Sequence, residues 1–351
     1  MRKFFALLLA ALMVLSMTAC AKEEPQPTTV ATEAPVSTAA HETTAAPETE
    51  PAVKIDADLI NVHVLNGTTG FGMANLMDAY DKGESAQNYN FAVETDASNI
   101  VAGLANGSVD IAALPTNAAA TVYNKTQGKV QVLALNTLGV LYLVTDGSVA
   151  IESVADLAGQ TVYAPAQNPS FIFQHIVQAN GLNDVTIDNT YAQPADLNTA
   201  VAAGEVSIAV LPEPMVTVAK SKNPDLVVAL DLTAEWDKIA PAGSLVQGCV
   251  VVRKAFAEEN PTAVATFLTE YGASIEALTS DVEGTAAKIE AQGIFAKAAV
   301  AAKAIPNCNV CFITGSDMQA ALSQFLTIMY EVAPASVGGA IPGEDFYCIV
   351  E

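Results

Sequence analysis

One nine-residue phrase occurs twice in this chain, and its recurrence limits the architecture more than any other feature. Residues 107–115 read Gly-Ser-Val-Asp-Ile-Ala-Ala-Leu-Pro, and residues 204–212 read Gly-Glu-Val-Ser-Ile-Ala-Val-Leu-Pro. Six of the nine positions are identical, at an offset of 97. A helical pattern precedes each copy. Ala97–Asn106 carries Ile100, Val101 and Leu104, and Pro194–Ala203 carries Leu197 and Val201, spaced for one helix face. After each copy come a helix and then an apolar strand, 130–136 in the first unit and 226–231 in the second.

Strands are predicted at 59–65, 90–95, 109–114 and 130–136, and again at 160–164, 185–190, 206–211 and 226–231. Strands alternating with helices imply parallel sheets covered on both faces. Continuous apolar runs such as Ile111–Leu114 fit doubly covered strands. Two copies of so long a unit make two lobes rather than a solenoid. After a strand at Gly248–Val252 the chain turns helical over 261–278, 282–292 and 317–332, with no third copy. The chain is therefore expected to cross back and complete its first lobe. The predicted fold is α/β, with two doubly wound lobes joined by a two-strand hinge. Lobe 1 takes 58–145 and 248–351, and lobe 2 takes 146–247. The crossovers are expected near Tyr142–Gly147 and Gln247–Val252, with Gly147 and Gly248 as hinge residues because glycine accepts unusual backbone angles.

The N-terminus speaks to location. Met1-Arg2-Lys3 precedes an apolar run from Phe4 to Met17, the pattern of a secretory signal and too short for a comfortable membrane span. Leu15-Ser16-Met17-Thr18-Ala19-Cys20 resembles the lipobox of bacterial lipoproteins, with Met17 where Leu is commoner. That resemblance implies a signal over 1–19 and a lipid on Cys20. Two or more acyl chains hold a protein stably at a membrane, at about 0.8 kcal/mol per buried CH₂. Residues 20–57 are rich in Pro, Thr, Ala and Glu and read as a disordered tether. Its reach is roughly 30–35 Å.

The formal net charge is −23. That argues against nucleic acid, whose binding needs Lys and Arg to displace counterions. It argues equally against adhesion to anionic lipid, so the only membrane contact expected is the lipid anchor. With Cys20 lipidated, Cys249, Cys308, Cys311 and Cys348 remain. Cys308-Asn309-Val310-Cys311 has the spacing of a redox pair, half a zinc site or a local disulfide. No second such pair or nearby His completes a metal set, which favours structural cysteines. No metal, cofactor or catalytic residue is assigned.

Ligands of open α/β sheets bind beyond the carboxyl ends of the strands, where helices begin. Four such junctions can be read. They are Asn66-Gly67-Thr68-Thr69-Gly70, Thr116-Asn117 after Pro115, Asn168-Pro169-Ser170, and Glu213 between Pro212 and Pro214. The repeat pairs the first with the third and the second with the fourth. The same residue types also serve as ordinary turns and caps. The paired placement favours a cleft. The glycine loop lacks both the Walker and the Rossmann spacing. Trp236, the sole Trp, lies after the last strand of the second unit and is a further candidate for ligand contact, or else a cover for a sheet edge. His63 and His175 read as packed structural residues.

At this point the chain resembles the ABC-importer solute-binding proteins of the type II periplasmic-binding-protein fold. Within them it is similar to the group that takes up sulfonates, nitrate and the thiamine pyrimidine precursor. The carriers are Asn66–Gly70, Val109–Ala112, Ala155–Gly159, Leu211–Pro214 and Gly248–Val252. The resemblance implies a monomer held at the outer face of the cell membrane. It would capture a small molecule by lobe closure and deliver it to a permease with its ATPase. Two other readings compete. One is an enzyme of the same fold acting on a small heterocycle, and the other is a surface receptor without transport.

Overall fold

A computed structural model describes residues 56–350. The signal, Cys20 and nearly all of the tether lie outside the described residues. Eleven strands are described: β1 Ile60–Leu65, β2 Tyr89–Glu94, β3 Ile111–Pro115, β4 Val130–Thr137, β5 Leu141–Thr145, β6 Thr161–Tyr163, β7 Thr186–Asp188, β8 Ile208–Pro212, β9 Val227–Asp231, β10 Gly248–Arg253 and β11 Val310–Ile313.

The repeated phrase has a local cause. Its glycine ends a helix: Gly107 (φ 85°) closes Ala97–Asn106, and Gly204 (φ 75°) closes Pro194–Ala203, both in the left-handed region. That is the usual exit from a helix, where a side chain would be strained. Its apolar core forms β3 and β8, whose first four residues are buried in each copy. Its proline ends the strand in each copy; Pro115 also caps the helix that follows, whereas after Pro212 the helix Met215–Lys222 begins beyond Pro214.

The strands form two sheets, in the orders β11-β4-β10-β3-β1-β2 and β7-β6-β8-β5-β9. The repeat is visible in both. β2-β1-β3 and β7-β6-β8 are parallel, with β4 and β9 one place further on. The intervening strand is antiparallel to both neighbours: β10 in the first sheet and β5 in the second. The all-parallel expectation is therefore corrected. Each odd strand arrives from the other half of the chain, entering at the carboxyl ends of the parallel strands, and so runs the opposite way. β11 is a further antiparallel strand at the edge of the first sheet.

This arrangement moves the first crossover. β5, expected at the end of the first lobe, pairs with β8 and β9 in the second sheet. The chain thus passes between sheets at Leu138–Val140, before Tyr142. Gly147 lies beyond the far end of β5, with φ 82°, as an exposed turn rather than a hinge. Gly248 does open β10 at the second crossover. Its role is close approach, since a Cβ there would stand 2.4 Å from Asn136 Oδ1.

The two crossovers are tied to each other. Gln247 N–H donates to the Thr137 carbonyl (2.9 Å), and Val140 N–H donates to Gln247 Oε1 (2.8 Å). Three apolar cores result. One packs against the first sheet through Phe71, Phe267 and Tyr271, and another against the second sheet through Leu197, Val201 and Leu211. The third is shared by both sheets and the helix Gly315–Val332, with Leu114, Leu143, Trp236 and Phe325 among its members.

Candidate functional site

All four loops lie at carboxyl ends of parallel strands. The first follows β1. Asn66 is exposed, and Gly67 stands just before a short helix, Thr68–Phe71. Gly67 has φ 87° and ψ −159°, a conformation open essentially to glycine alone. Gly70 is needed for a different reason: a Cβ there would come within 2.5 Å of the Leu65 carbonyl and press on Ile294. Thr69 accepts a bond from the Asn136 side-chain amide (3.0 Å).

The third loop follows β6 and repeats this geometry. Gln167 occupies the place of Gly67, with φ 70° and ψ −136°. A non-glycine residue there is strained. Asn168 opens the helix Asn168–Ala179, and Pro169 lies in its first turn. Asn168 is buried, and its Oδ1 has no hydrogen-bond partner among the described residues. Ser170 braces the loop from inside, donating to the Pro165 carbonyl (2.9 Å) and accepting from Asn189 (2.5 Å).

The second loop serves the crossover. Thr116 is fully buried, and its hydroxyl donates to the Val246 carbonyl (2.8 Å). Asn117 beside it is half-buried. The fourth loop holds Glu213, 4% exposed, whose backbone N–H donates to the Val140 carbonyl (2.9 Å). Its carboxylate accepts from the N–H (3.1 Å) and the hydroxyl (3.0 Å) of Thr217. The carboxylate thereby caps the helix Met215–Lys222. Burial pushes its pKa up, against the opposing pull of Thr217 and Lys220.

The two sheets meet at these loops. The Thr68 hydroxyl donates to the Glu213 carbonyl (2.8 Å), joining the loop after β1 to the loop after β8. Cys308 Sγ lies 3.8 Å from the same hydroxyl. Tyr142 of β5 reaches the other way and donates to the Asn307 carbonyl (2.8 Å), in the segment before β11. Burial pushes the Cys308 thiol up to about 12, with Glu213 adding to the shift. Burial likewise raises Tyr142, helped by Asp231, Glu213 and Cys308.

The candidate residues thus divide. Thr68 and Glu213 come together across the two sheets. Thr116 and Ser170 are engaged in holding backbone. Trp236 is corrected: it is fully buried in the shared core, with its indole N–H on Ser244 Oγ (2.9 Å). Its ring lies 5.0 Å from that of His175 and 5.9 Å from that of Phe325. Indole area is better buried there than spent on a rim. Tyr142, Asn136 and Asn307 carried no signal in the sequence, because their partners lie tens of residues away or more. Cys308 was noticed for its spacing to Cys311, yet both thiols are free.

A family model described as "ABC transporter, phosphonate, periplasmic substrate-binding protein" matches residues 82–294. No curated protein sequence matches the chain. Among solved structures, an ABC transporter protein from Parabacteroides distasonis is similar at 24% identity and a TM-score of 0.72, over 84% of this chain and all of that one. The periplasmic aliphatic sulphonate binding protein SsuA from Escherichia coli is similar at 15% identity and a TM-score of 0.66, over 81% and 96% of the two chains. The alkanesulfonate-binding protein SsuA from Xanthomonas axonopodis pv. citri, bound to MOPS, is similar at 13% identity and a TM-score of 0.59, over 82% and 95%. The fold is the type II periplasmic-binding-protein fold.

Proposed function

Because the chain belongs to the phosphonate-binding family of periplasmic ABC-transporter substrate-binding proteins, we propose that it captures one small polar molecule between its two sheets and hands it to a membrane permease without altering it. It is the substrate-binding component of an ABC importer and works outside the cytoplasm. The capture site we assign is the set of loops after β1, β3, β6 and β8. Asn66–Gly70 and Asn168–Ser170 supply backbone and polar groups, Thr116 and Asn117 support one wall, and Glu213 stands on the other.

The observation that carries this reading is the Thr68–Glu213 bond, which joins loops of opposite sheets where strand ends converge. A ligand touching both loops binds better when the sheets are drawn together, and that difference drives closure. The matched family is described by phosphonate, and two similar structures by sulphonate, all small polar solutes. In this reading Cys20 carries the lipid, residues 20–57 are the tether, and the protein is a monomer. The basic-then-apolar start and the small residues before Cys20 support the anchor.

The test is native mass spectrometry of the protein isolated from its own organism, with the released molecule identified. A stoichiometric small-molecule adduct, recovered unchanged after incubation, is the expected result. Absence of any adduct, or turnover of the bound molecule, would defeat the reading. Separately, Cys20→Ala is expected to move the protein from the membrane fraction to the soluble fraction.

A further inference from the structure

The four loops after β1, β3, β6 and β8 contain one charged side chain, Glu213, and no Lys, Arg or His. What surrounds Glu213 is neutral or acidic. Thr68 and Cys308 meet it from the first sheet's side, Tyr142 stands beside it on β5, and Asp231 lies across the strand pair from Tyr142. The cation that acts on its carboxylate is Lys220, exposed and about two turns along the same helix. None of the ion pairs among the described residues includes Glu213.

The carboxylate also occupies a particular place. The first N–H groups of a helix favour an anion. At the helix Met215–Lys222 one of those groups, Thr217 N–H, already donates to Glu213, as does the Thr217 hydroxyl. An incoming oxyanion would approach the Glu213 carboxylate itself there. A carboxylate has about four lone-pair sites, and Thr217 uses two. The remaining sites belong to a buried charge, which gains most from a cationic N–H donor.

We propose, on the basis of the substrate-capture reading above, that this cleft selects a ligand bearing a protonated amine or amidinium. Glu213 is the recognising carboxylate, and oxyanions of the kind named for the similar proteins are excluded. The carboxylate built into the helix start turns an anion-accepting position into a cation-accepting one.

The experiment measures thermal stabilisation and affinity of the full chain at fixed ionic strength and pH 7. The cationic probes are methylammonium, agmatine and histamine; the anionic probes are methylphosphonate, ethanesulfonate and nitrate. In parallel, the protein is incubated with a small-molecule extract of its own culture, and any adduct is released and identified. At least one amine is expected to bind tenfold or more tightly than every oxyanion. Glu213→Gln is expected to weaken that amine at least tenfold. Thr217→Val keeps the charge and is expected to keep the preference, which separates recognition from damage to the fold.

An oxyanion that binds wild type better than the amines, or an amine indifferent to Glu213→Gln, overturns the proposal while leaving substrate capture intact. If no probe binds but the extract yields an adduct, a basic nitrogen in the released molecule supports the proposal and its absence overturns it. If neither probe nor extract binds, the capture reading itself falls, and this proposal with it.

Discussion

Gln167 and Gly67 hold the same backbone shape in the two halves of the repeat, one with a side chain and one without. The conformation costs a non-glycine residue roughly 1–3 kcal/mol. Glycine in turn loses about 0.5–1 kcal/mol through greater freedom in the unfolded chain. Gln167→Gly is therefore expected to stabilise the protein by about 1 kcal/mol, and Gly67→Ala to destabilise it by about 1–3 kcal/mol. Urea denaturation reads both, and equal midpoints for the two variants would contradict the geometry. Trp236 gives the opposite kind of prediction. Trp236→Ala should cost about 3–5 kcal/mol in stability, yet leave the affinity of any bound solute unchanged. A large loss of affinity without loss of stability would return Trp236 to the cleft. At this scale residue type and strand-end position were enough to single out the loops of Thr68 and Glu213, which the structure joins by a hydrogen bond. It could not separate Trp236 as ligand contact from Trp236 as core, because an indole suits both and the deciding partners, Phe325 and Ser244, come from other elements.

Among elements, strands β1 to β4 and β6 to β9 were legible within about two residues. Their apolar runs and flanking turns are local signals. β5 was read as a crossover and β11 went unread, for a physical reason. β11 has four residues, none fully buried, and β5 shows its identity only through its pairing with β8 and β9. The crossover itself is built from Gly139, where a Cβ would lie 2.2 Å from Thr233 Oγ1, so the hinge glycine is chosen for packing. β5 also carries Tyr142, whose hydroxyl bonds the Asn307 carbonyl of the first sheet's return segment. A hydrogen bond of this kind contributes about 0.5–1.5 kcal/mol. If it forms only when the sheets approach, Tyr142→Phe should weaken solute affinity about two- to tenfold, seen mainly as faster release. Stopped-flow release rates check this, and an unchanged rate would mean that the bond persists in the open form.

For the molecule as a whole, the repeat made two sheets visible in the sequence. The return of the chain to the first sheet through Gly248–Val252 was expected; what the repeat hid was the strand β5 given to the second sheet and the apolar core the sheets share. The first sheet's central position is filled by β10, which begins at residue 248. A fragment of residues 56–247 would leave β3 and β4 with no strand between them, a long row of unpaired backbone groups and the exposed apolar faces of Leu114 and Leu135. Such a fragment is expected to lack cooperative thermal unfolding by circular dichroism, while a sharp transition would show that the first sheet closes without β10. The order of synthesis gives this arrangement a further meaning. For most of the time the polypeptide is emerging from the ribosome, its first sheet has an empty slot that no earlier segment can occupy. On the export reading proposed above, a chain threaded unfolded through a channel would have to reach the far side before its first sheet closed. With its closing strand so late, the first sheet cannot be completed until residue 248 and beyond have been made.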